Sequence, residues 1–91
     1  MTDEIKLTGE AARGMQAESL LNNDLIREAY EKIEADLVKG WIDSPARDTE
    51  GRERLWAAVQ ANRKHRAYLM NVIDDGKVAA EELSRLAKTR K

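Results

Sequence analysis

The sequence predicts an all-α protein built on a long antiparallel helical hairpin, and three observations carry that expectation. Apolar residues recur at steps of three and four over two long stretches, about residues 24–42 and 50–74. One proline-bearing break, Asp43-Ser44-Pro45-Ala46-Arg47-Asp48-Thr49, separates them. Two helices of this length leave little of a 91-residue chain for anything except short flanking elements.

The elements follow in order. Residues 1–8 are polar around isolated Ile5 and Leu7 and read as an N-terminal arm. Residues 9–21 favour a short helix through Ala11, Ala12, Ala17, Leu20 and Leu21, with Thr8 as its cap. Gly14 weakens that helix by about 1 kcal/mol relative to alanine, so it needs a neighbour. Asn22-Asn23-Asp24 marks the next boundary. With Asn22 as the cap, Leu21 and Ile26 take the spacing of a hydrophobic staple.

The 24–42 helix carries Ile26, Ala29, Tyr30, Ile33, Leu37 and Trp41 on one face and Arg27, Glu28, Glu31, Glu34 and Lys39 opposite. Pro45 disfavours helical geometry at Ser44, so the chain turns there. Asp48 or Thr49 caps the 50–74 helix, whose stripe reads Leu55, Trp56, Val59, Leu69, Met70 and Ile73. Asp74-Asp75-Gly76 reads as a stop, with Gly76 left-handed, before a short helix over 78–87 and a basic tail over 88–91. The expected core is Ile26, Ile33, Leu37, Trp41, Leu55, Val59, Leu69 and Ile73.

Composition restricts the function classes. The size fits one small domain with a modest core. The absence of cysteine excludes a disulfide framework and a cysteine-based zinc site. Sixteen basic and seventeen acidic side chains cancel to −1, which argues against a broadly cationic nucleic-acid binder. No apolar run approaches the ~20 residues that cross a bilayer, and the N-terminal residues lack the pattern of a signal peptide. The expectation is a soluble protein, cytoplasmic in its host cell or carried in a virion, with no membrane contact.

No group of residues suggests chemistry. His65 is the only histidine and stands at no triad or metal spacing, and Asp74-Asp75-Gly76-Lys77 lacks the ligand ladder of a calcium loop. The expected catalytic, metal and cofactor sites are therefore none. Trp41 and Trp56 fall at one end of the paired hairpin, either as core or as interface anchors, and Met70 joins them as a protein-binding candidate. Arg66 interrupts the apolar stripe, as does Asn62. In the antiparallel register Trp41 lies near Arg52, Ile33 near Val59, and Ile26 near Arg66. Arg66 would then bond the last carbonyls of the first helix or Asp24; the alternative is an external carboxylate or phosphate. The phosphate or nucleic-acid candidates are Arg63, Arg66, Arg85, Lys88, Arg90 and Lys91.

Leu20-Leu21-Asn22-Asn23, Trp41, Asp48, Arg52-Glu53-Arg54-Leu55-Trp56, and Gly76 with Ala79 carry a resemblance. The segment from Ser19 to Ala79 resembles a family of small helical proteins of tailed bacteriophages and prophages, encoded near the portal, scaffold and capsid genes. The resemblance implies a phage context more than a mechanism. Together with the absence of chemistry it leads to a non-enzymatic protein-binding module in virion assembly or virion structure. Its partner would be a phage structural protein or a host protein. The chain would be a homo-oligomer or docked on a larger assembly, because a hairpin this long cannot cover both apolar faces alone. A small DNA-packaging subunit and an inhibitor of a host enzyme are the alternatives.

Overall fold

A computed structural model describes residues 2–89, and the expected tail residues Arg90 and Lys91 lie outside them. Three helices account for nearly all of it: α1 (Thr2–Leu21), α2 (Asp24–Asp43) and α3 (Thr49–Thr89). The all-helical class holds among the described residues. Two boundaries depart from expectation.

The first is at the N-terminus, where residues 2–8 are the opening turns of α1 instead of an arm. Asp3 and Glu4 sit in the first turn, where the helix dipole favours negative charge. Thr8 is not a cap, since its hydroxyl donates back to the Glu4 carbonyl at 2.8 Å and is satisfied inside the helix. The second departure is at Gly76, where the expected stop is absent. No glycine has positive φ among the described residues, and α3 continues for 41 residues without a second, separate C-terminal helix. Lys77, Ala79, Ala80, Glu81, Glu82 and Leu83 are strong helix formers and favour continuation past the glycine.

The caps between the helices are local. Asn23, not Asn22, caps α2 and accepts a hydrogen bond from the Ile26 N–H at 3.1 Å. That one-residue shift places Asn22 and Arg27, instead of Leu21 and Ile26, at the staple positions. Ser44 is extended (φ −70°, ψ 143°), as the following proline requires. Asp48 receives the Gly51 N–H at 3.1 Å and so, of the two expected candidates, is the cap of α3.

Two compact units divide the chain, and α3 contributes its first half to one and its second half to the other. In the unit of residues 1–22 and 68–91, α1 and the later part of α3 run in opposite directions: Glu10 approaches Gly76, while Arg13 reaches the Tyr68 hydroxyl at 3.3 Å. The two backbones meet at Gly14 and Gly76. A Cβ added at Gly76 would stand 2.7 Å from the Gly14 Cα and 3.0 Å from the Glu10 carbonyl oxygen. Ala17 and Ala79, three residues beyond each glycine, are buried in the same seam. Small side chains here permit contact between backbones, and dispersion at that range holds the helices together.

In the unit of residues 23–67, α2 lies against the first half of α3. Trp41 meets Trp56, Gly40 faces Leu55, Glu34 pairs with Arg63, and the Tyr30 carbonyl accepts from Asn62. Burial is sparse. Of the expected core only Val59 is fully enclosed; Ile33 is 48% exposed, and α2 has no buried residue. Within this unit two helices alone do not cover the outer half of each stripe. Among the described residues no helix is long and apolar enough to cross a membrane.

The glycines separate two effects. Gly9 has open space around it, so Gly9→Ala should raise stability by up to about 1 kcal/mol through helix propensity. Gly76→Ala makes the same propensity gain but drives a methyl into backbone, and it should lower stability by about 1–3 kcal/mol. Urea melts followed by circular dichroism read both; equal shifts for the two variants would refute the close crossing.

Candidate functional site

The strongest concentration of polar and aromatic groups lies at the turn joining α2 to α3. The last carbonyls of α2 need partners there, because no further turn of helix supplies them. Ser44 meets part of that need, donating from its backbone N–H (3.3 Å) and its hydroxyl (2.6 Å) to the Trp41 carbonyl. Arg52, in the first turn of α3, meets more of it. Its Nη1 donates to the Trp41 carbonyl at 3.1 Å, the Ser44 carbonyl at 3.0 Å and the Ser44 hydroxyl at 2.9 Å. The guanidinium carbon stands 4.6 Å from the centroid of the Trp41 ring, a cation–π contact of about 0.5–2 kcal/mol.

Trp41 therefore has its backbone and its ring held by one side chain. Its ring also meets Trp56, with centroids 6.2 Å apart and planes at 44°. The tilted pair is a favourable aromatic geometry. Beside it opens a largely apolar groove of about 460 Å³ lined by Trp41, Ala46, Thr49, Arg52, Glu53 and Trp56. Trp41 is half-buried, while Trp56 is 49% exposed and forms the outer wall. This offers shape and an aromatic surface to a partner side chain. Among the described residues no three His, Cys, Asp or Glu side chains gather as metal ligands.

The structure brings together two of the three protein-binding candidates, Trp41 and Trp56. Met70, 52% exposed, belongs to the other unit. Two of the basic candidates are paired with carboxylates. Arg63 pairs with Glu34 at 2.7 Å, and Arg85 with Glu82 on its own helix. Lys88 is exposed in the last turn of α3, where the dipole favours a cation. Arg90 and Lys91 lie outside the described residues.

Arg66 departs from expectation. It is half-buried, but among the described residues its guanidinium makes no hydrogen bond or ion pair; Asp24, its expected partner, is held by Arg27 at 2.5 Å. Arg27 is one helical turn from Asp24 and reaches it at little entropic cost. A long flexible cation can also leave its head in water while its stem covers apolar surface. Arg52 and Asn62 are the residues whose roles sequence reasoning passed over. The antiparallel register already set Arg52 level with Trp41, and that was the available signal. Asn62 interrupts the apolar stripe because its amide donates to the Tyr30 carbonyl at 3.2 Å.

No protein-family model, curated protein or solved structure matches the chain.

Arg52→Ala should destabilise the protein by about 1–3 kcal/mol, because charge-assisted bonds to two carbonyls are lost. Arg52→Lys should recover only part of this, since an ammonium lacks the planar face that stacks on Trp41. The only two tryptophans flank this site, so fluorescence-detected urea melts report on it directly. Arg66→Leu should shift the same melt by less than about 1 kcal/mol, as no partner is left behind; a larger loss would restore a structural role for Arg66.

Proposed function

We propose that this chain is a non-enzymatic protein-binding module of a tailed phage or prophage, acting in virion assembly or as an accessory of the virion. The observation that carries the reading is the balance of apolar surface. Among the described residues only Ala17, Val59 and Ala79 are buried apolar residues, while ten large apolar side chains stand 48–76% exposed. A chain that leaves Ile33, Ile42, Trp56, Tyr68, Met70 and Val78 in water gains free energy by covering them with another surface. In this reading α2 and the first half of α3 form an antiparallel hairpin that presents the Trp41–Trp56 groove as its contact end.

The phage context rests on the resemblance carried by Leu20–Asn23, Trp41, Asp48, Arg52–Trp56, Gly76 and Ala79. Several of these residues have physical tasks that would keep them in place. Asp48 caps α3, Arg52 ties down the end of α2, the tryptophans build the groove, and Gly76 with Ala79 forms the seam with α1. The nucleic-acid alternative has less support, because Arg63 and Arg85 are already paired with carboxylates.

The test is capture of the portal, scaffold and capsid proteins of the phage or prophage that encodes the chain, each purified separately, by the immobilised full-length protein. One of them should be retained, and Trp56→Ala should weaken its retention roughly tenfold or more, as for an aromatic anchor. Retention of none, with a DNA mobility shift that falls steeply with salt, would replace this reading with the packaging alternative.

A further inference from the structure

We infer that α1 is a splint that keeps α3 in one piece: when α1 leaves its seam, α3 ends at Asp75 and Gly76 turns the chain away. The inference needs no partner and stands apart from the reading of the chain as a contact protein. It begins from a conflict between local sequence and observed structure. Asp74-Asp75-Gly76 has the residues of a helix end, yet Gly76 has no positive φ and α3 runs through it to Thr89.

Within α3 nothing resolves that conflict. Aspartate and glycine stand low in helix propensity, and here three of them are consecutive. Both aspartates are exposed, and among the described residues neither takes part in an ion pair that would support the helix. The helix formers from Lys77 to Leu83 serve a continuous α3 and a separate second helix equally well.

The contact with α1 decides, because it spans the stop. A Cβ added at Gly14 would stand 3.2 Å from the Val72 carbonyl oxygen, before the stop, and 2.8 Å from the Gly76 Cα, within it. Beyond the stop Ala79 is 1% exposed, in a unit whose other helix is α1. Val72, Gly76 and Ala79 follow at steps of four and three, so they share one face only while Gly76 stays helical. A left-handed Gly76 would rotate Ala79 out of that face and carry the chain away from α1. Docking of α1 and a stop at Gly76 therefore exclude each other, which makes the segment a two-state element.

Distances along α3 test the inference in the full chain. Asn71→Cys and Lys88→Cys place spin labels at two exposed positions of a chain that has no cysteine of its own. In a continuous helix these positions lie about 26 Å apart, and pulsed electron resonance should give one narrow distribution near that value. Gly14→Leu clashes with backbone in the seam, and Ala17→Glu puts a charge at a position 3% exposed. Each should broaden the distribution and shorten its mean by about 5 Å or more, the rise of one helical turn. Adding Gly76→Ala to either should return the separation to that of the parent, because alanine disfavours the left-handed conformation the stop requires. Its methyl meets the backbone of α1, so the return would owe nothing to a reseated seam. An unchanged separation in both seam variants would overturn the inference. So would a shortened separation that Gly76→Ala fails to restore, since that is general fraying of an unsupported helix.

Discussion

The contact of α1 with α3 at Gly14 and Gly76 is the constraint on which the rest of its unit depends. Neither helix has a large buried side chain in that unit; its buried positions are glycine and alanine. With so little apolar volume to enclose, the helices are held by proximity, and proximity requires that no Cβ stand between the backbones. The requirement reaches along the chain. Gly76 must remain helical to present its bare face to α1, so α3 cannot end there. It runs on to Thr89 and gives Ala79 a place in the same seam. Each glycine costs helix propensity, and the tertiary contact returns it.

The unit of residues 23–67 is organised by a polar residue instead. Arg52 links the end of α2 to the start of α3 by satisfying carbonyls that helix termination leaves open, and the same guanidinium lies on the Trp41 ring. Orientation of that ring sets the tryptophan pair, and the pair sets the groove. The surface most suited to recognition thus follows from how one helix ends. Farther along, Asn62 and the Glu34–Arg63 pair fasten the helices at points where apolar packing is thin.

Both units share an economy of burial. Fully enclosed apolar groups are few and small, while Ile5, Met15, Leu25, Ile42, Tyr68 and Met70 stand more than half in water. For a 91-residue chain without disulfides this leaves a narrow margin of intrinsic stability. Binding to a partner adds to that margin by mass action. A surface that covered these side chains would therefore stabilise the fold as well.

The sequence by itself determined the helical class, the turn at Pro45, a cap at Asp48 or Thr49 and the level of Trp41 beside Arg52. Each depends on local stereochemistry or on a 3.6-residue period, which neighbouring residues encode directly. What only tertiary structure decided was the fate of residues that admit two local readings. Gly76 after two aspartates is a good helix stop in isolation, yet α1 packing makes it an interior residue. Residues 2–8 look like an arm until Leu7, half-buried, and the Thr8 back-bond give them reason to coil. Arg66 and Arg52 are equally plausible anchors by composition. Only the position of α2's unsatisfied carbonyls distinguishes them, and that position exists only once the two helices are side by side.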